Sequence, residues 1–99
     1  MTENGEKMLI CLYGLFKEKN KTEDIESAKY MTPSEIAAKC NAVFHSGDID
    51  GLLAELENND YISHYSTGDV ELKDSAIEYV EKRPKEKLKD IIDFLSKFF

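Results

Sequence analysis

One stretch, from Met31 to Leu72, limits what this chain can become, because its local signals fall in a fixed order of helix, turn, helix and hairpin. Thr32 is placed to cap a helix, Pro33 suits the first helical position, and Glu35, three residues after the cap, completes a capping box. Ile36, Ala37, Cys40, Val43 and Phe44 then recur at helical period, which predicts a helix over residues 33–44. His45, Ser46 and Gly47 interrupt it. Asp48 can cap a second helix over residues 48–58, where Ile49, Leu52, Leu53 and Leu56 make one apolar stripe at i, i+3, i+4 and i+7. Residues 61–72 form a predicted hairpin: an extended run through Ser66, a turn at Thr67-Gly68-Asp69, and Val70-Glu71-Leu72 alternating back. Gly68 suits a turn position with positive φ.

The exit from the second helix, Leu56-Glu57-Asn58-Asn59-Asp60-Tyr61-Ile62, resembles the L-E-x-x-G-x-I passage of winged helix-turn-helix proteins. Asp60 stands where that pattern carries Gly, at a position expected to need positive φ, which Asp tolerates better than most residues. Leu72 to Tyr79 resembles the L-T-x-x-G-x-x-Y step from wing to closing helix, with Ala76 in place of the customary Gly. The resemblance is to the superfamily and covers the stretch above. It implies an α+β, mostly helical fold with a two-stranded wing, and a second helix whose exposed face enters a DNA major groove.

Around this unit the chain divides simply, as one domain. A first helix is predicted over residues 7–19, apolar nearly all round. Residues 20–31 are a polar connector with room for one helical turn near Thr22–Ser27 and a short strand at Tyr30 and Met31. A helix is predicted over 75–82, and Arg83-Pro84 separates it from a long amphipathic helix over 84–99. There Leu88, Ile91, Ile92, Leu95, Phe98 and Phe99 share one face, which can fold back on the first helix or pair with a second copy. A homodimer is the expectation, a monomer with this helix completing the core the alternative.

Charge argues against ordinary DNA reading. The chain carries a net charge of −7, and residues 31–80 hold only Lys39 and Lys73 against ten acids. The exposed face of the second helix is expected to be Asp48, Asp50, Gly51, Ala54, Glu55 and Asn58, which has no cation to neutralise phosphate or contact a base. The wing, His64, Ser66, Thr67, Gly68 and Asp69, has no Lys or Arg either. Lysines 17, 19, 21 and 29 surround the connector, while Lys82, Arg83, Lys85, Lys87 and Lys89 precede or open the last helix. These could touch a DNA backbone from outside, although Lys interspersed with Glu is ordinarily a solvated surface.

Cys11 and Cys40 lie among apolar neighbours, which points to two buried thiols rather than a disulfide or redox pair. With His45 and His64 they lack the paired spacing of a zinc site, so no metal is expected. No phosphate loop, nucleophile–base pair or calcium loop is present, and neither enzyme activity nor a cofactor is expected. No apolar run is long enough for a membrane span, and the opening residues lack signal-peptide character, so the expectation is a cytoplasmic location without membrane contact. The function expected is a regulatory or interaction protein whose acidic second helix and wing meet a protein partner, possible partners including basic, nucleic-acid-binding ones. The alternative is a dimeric transcriptional regulator on double-stranded DNA.

Overall fold

Thr2 starts the first helix a full turn before the apolar periodicity does. Its hydroxyl accepts the Gly5 N–H at 3.0 Å, and Glu3 and Glu6 lie in the first turn, where the helix dipole favours anions. The helix α1 therefore spans Glu3–Lys19 and not residues 7–19. The computed structural model describes residues 1–83 of the chain, so the expected helix over 84–99 lies outside the described residues. Those described form five helices and one antiparallel sheet, an α+β and mostly helical arrangement. None of these helices is long and apolar enough to cross a membrane.

The connector holds a single helical turn, α2 (Ile25–Ala28), and then the short strand β1 (Tyr30–Met31). Between them Lys29 is only 7% exposed. Its ammonium is satisfied by Asp74 Oδ1 at 2.6 Å and Glu26 Oε1 at 3.2 Å, and Asp74 raises its pKa against the opposing effect of burial.

Helix α3 (Pro33–Cys40) carries the capping box: Thr32 Oγ1 accepts the Glu35 N–H at 3.2 Å and Glu35 Oε1 accepts the Thr32 N–H at 2.9 Å. It ends four residues short of the predicted 44. The Phe44 and Val43 amides both turn back to the Cys40 carbonyl, which wraps the chain tightly while leaving Val43 and Phe44 half-buried against the core. Helix α4 (Ser46–Asn58) consequently begins early, with His45 at the cap position and Asp48 inside the first turn, where it faces the positive end of the dipole instead of capping it. Asp60, at φ 65°, reverses the chain after α4.

Strands β2 (Ile62–His64) and β3 (Val70–Leu72) form the hairpin. In the sheet β3 is central, in the order β1-β3-β2, with Tyr30 and Ser63 both opposite Glu71. The turn closes with the Gly68 amide donating to the Tyr65 carbonyl and the Tyr65 amide to the Asp69 carbonyl, both at 2.9 Å. Gly68 adopts φ 91°, and a Cβ there would stand 2.9 Å from Pro33 Cγ. The hairpin tip is thus seated on the start of α3. Gly68→Ala is expected to cost about 1–3 kcal/mol through backbone strain and this contact; urea titration of the variant measures it. Helix α5 (Asp74–Glu81) closes the described fold, one residue earlier at each end than the predicted 75–82.

The core centres on α1. Met8, Leu9, Cys11 and Leu12 are wholly buried, in contact with elements on every side: α3, α4, α5 and β3 all pack on this helix. Cys11 and Cys40 meet across the α1–α3 contact as free thiols. The neighbouring Cys40 thiol, together with burial, pushes the Cys11 thiol far above its ordinary range, so it stays protonated.

Candidate functional site

The surface of α4 divides into strips. Ile49, Leu53 and Leu56 are buried, and opposite them stand Gly47, Gly51, Ala54 and Asn58, all exposed. Among the described residues nothing lies within 4 Å of where a Cβ would project at Gly47 or Gly51, so they leave this outer strip open and low in relief. Acids occupy its two edges. On the hairpin side, Glu57 Oε2 accepts the His64 N–H at 3.1 Å. Asp50 and His64 rim a cavity of about 230 Å³, with Ile36, Ile49 and Leu53 among the apolar residues lining it. On the α1 side stand Asp48, exposed, and Glu55, half-buried.

Glu55 does not belong to an exposed reading face. Its carboxylate accepts the Thr2 N–H at 3.0 Å and the Thr2 hydroxyl at 2.8 Å, and so sits over the N-terminal turn of α1. Gly5 makes this approach possible, since a Cβ there would lie 1.8 Å from Glu55 Oε2. The positive end of α1 draws the acid inward. Asp48, Asp50, Gly51, Ala54 and Asn58 are the members of the expected face that the structure leaves exposed together.

Of the hairpin residues, Ser66 and Thr67 are exposed, while His64, Gly68 and Asp69 are half-buried. Thr67 donates its hydroxyl to Asp69 Oδ2 at 3.0 Å. From Cys40 to Leu72 the chain has seven acids and no Lys or Arg. Asp48, Asp50 and Asp69 have no ion pair among the described residues, whereas Asp60 is paired with Lys73, whose pKa it raises.

Of the cations expected to help with a nucleic-acid backbone, Arg83, Lys82, Lys19 and Lys29 are engaged elsewhere, while Lys17 and Lys21 are exposed and have no ion pair among the described residues. Arg83 is largely buried: its Nη1 lies 2.6 Å from Glu6 Oε1 and its guanidinium 5.5 Å from the centre of the Tyr79 ring. Glu6 also accepts the Tyr79 hydroxyl at 2.7 Å, so one carboxylate ties α5 to α1. Lys82 is paired with Glu78, Lys19 with Glu35, and Lys29 is the buried residue described above. Lys85, Lys87 and Lys89 lie outside the described residues, as do Leu88, Ile91, Ile92, Leu95, Phe98 and Phe99. A hollow of about 540 Å³ beside Arg83 is lined by Glu6, Glu78, Lys82, Tyr61, Tyr79 and Ser75; Glu6 pairs with Arg83 and Glu78 with Lys82, and Arg83 Nε has no hydrogen-bond partner among the described residues.

The outer face of the sheet carries a feature that the linear sequence conceals. Tyr30, Ser63 and Glu71 form a row across the three strands, and Tyr65 joins them just beyond β2. Tyr65 donates its hydroxyl to Glu71 Oε1 at 3.0 Å, and the Tyr30 and Tyr65 rings stack with centroids 6.4 Å apart. The Glu71 carboxylate beside it raises the Tyr30 pKa. Alternation along the strands, together with the pairing of β1 with β3, puts these side chains on one face.

No cluster of three or more His, Cys, Asp or Glu side chains able to hold a metal occurs among the described residues. Comparison with family models, with curated proteins and with solved structures finds no match to this chain.

Proposed function

We propose that the chain is a non-catalytic interaction domain of winged helix-turn-helix type, whose α4 surface and hairpin receive a basic segment of a protein partner. The domain type is supported by the helix–strand–helix–helix–hairpin order and by a sheet in which β3 lies between β1 and β2. One observation carries the choice of partner. The outward surface of α4 is a smooth strip of Gly47, Gly51, Ala54 and Asn58, bordered by the carboxylates of Asp48 and Asp50, which have no ion pair among the described residues. Among the described residues, a duplex groove lined with phosphate meets no cation there, while a basic peptide meets exposed acids and no side chain over Gly47 or Gly51. The sharpest form of this reading is a surface that competes with nucleic acid for a nucleic-acid-binding protein.

The hairpin favours the same side. Its tip rests on Pro33 and offers Ser66 and Thr67, neither of which can neutralise a phosphate.

The test is a pair of fluorescence-anisotropy titrations at low and moderate salt, one with mixed-sequence duplex DNA and one with a labelled oligo-arginine peptide. The expected result is peptide binding that weakens as salt rises and no DNA binding at either salt. Micromolar DNA binding that collapses with salt, and none of the peptide, would instead establish a duplex-binding regulator.

A further inference from the structure

The sheet face opposite the core has a construction that the acidic α4 surface lacks: aromatic rings held around a carboxylate. Tyr30 and Tyr65 are 47% and 43% exposed. Their planes lie within 20° of each other, so the two exposed rings are roughly parallel. Glu71 comes from the central strand, and the Tyr65 hydroxyl holds its carboxylate beside the rings. Among the described residues two cations border the site, and the ammonium of each is bound elsewhere. The Lys19 ammonium lies on Glu35 and the Tyr30 carbonyl, and the Lys73 ammonium is bound to Asp60.

We propose that Tyr30, Tyr65 and Glu71 form a binding site for an arginine side chain of a basic protein segment. The inference rests on the basic-partner reading above and adds to it the residue type recognised and a second point of attachment. Three properties choose arginine. A guanidinium is planar and stacks on a tyrosine face, which an ammonium does with less contact. It is weakly hydrated, so leaving water for an aromatic face opposes binding less. Its fork of N–H donors matches a carboxylate, and Glu71 is an acid placed at the edge of the rings to receive them. An acidic ligand would meet Glu71 directly and is repelled, and an apolar ligand would leave that carboxylate uncompensated.

The experiment titrates a fluorescein-labelled oligo-arginine peptide, and an oligo-lysine peptide of equal length, into the full chain at low salt. The wild-type chain is expected to bind the arginine peptide more tightly. Tyr30→Ala with Tyr65→Ala is expected to weaken arginine binding about 5- to 30-fold, the sum of two exposed cation–π contacts, and to narrow the preference over lysine. Tyr30→Phe with Tyr65→Phe keeps the rings and is expected to retain most of the affinity, which guards against a folding defect in the alanine variant. Unchanged arginine binding in the alanine variant, with a loss on Asp48→Asn and Asp50→Asn, would overturn this site and leave the α4 reading standing. No binding of either peptide to the wild-type chain would overturn both.

Discussion

Leu53→Ala is expected to lower the free energy of unfolding by about 2–5 kcal/mol. Leu53 is 3% exposed on the inner strip of α4, between Ile49 and Leu56, and lies beneath the cavity that Asp50 and His64 rim. Its removal withdraws apolar surface from the core and leaves a void that the surrounding helices can only partly close. Urea titration followed by circular dichroism reads the change as a lower midpoint at unchanged slope. A loss below about half a kcal/mol would mean that α4 presents a different face to the core. Because Leu53 fixes which residues point outward, that result would also displace Gly51, Ala54 and Asn58 from the proposed surface.

Removing the carboxylate of Glu6 should be comparably damaging. Glu6→Ala leaves the Arg83 guanidinium, whose side chain is 9% exposed, without its acid. Truncating one member of a buried pair costs about 3–5 kcal/mol, and the 25% exposure of Glu6 places the expectation toward the lower end. The Tyr79 hydroxyl loses its acceptor in the same step. A double-mutant cycle with Arg83→Met separates the pair from its surroundings: the double variant is expected to be more stable than Glu6→Ala alone, since no charge is then stranded. If the two losses simply add, the pair contributes nothing as a pair.

Local signals in the chain translated well where local chemistry decides the outcome. The capping box at Thr32 and Glu35 is made by neighbouring residues, and so is the turn at Gly68. Asp60 takes the positive φ expected for the exit of α4. The inner strip of α4 follows directly from helical period. What sequence could not supply were partners brought together from far apart. Glu55 and Thr2 are separated by 53 positions, and Glu6 and Arg83 by 77; nothing in either neighbourhood marks them as pairs. Glu55 therefore looked like part of an open face and Arg83 like a free cation. The end of α3 misled for another reason. Val43 and Phe44 continue the apolar period, yet a tight turn after Cys40 keeps them against the core equally well. Periodicity reports burial, and burial does not require a helix. Tyr30, Tyr65 and Glu71 were legible singly, but their meeting depends on β1 joining the hairpin through β3.

If the proposed basic segment docks here, the seating of the hairpin tip on Pro33 divides the entropy of association unequally between the two partners. A hairpin anchored at its tip and paired along both flanks of β3 has little conformational freedom left to lose. Ordering on contact then falls almost wholly on the incoming segment, which for a flexible basic tail is the greater share of the unfavourable term. On the proposed function, a hairpin held this rigidly meets its partner already in the bound shape.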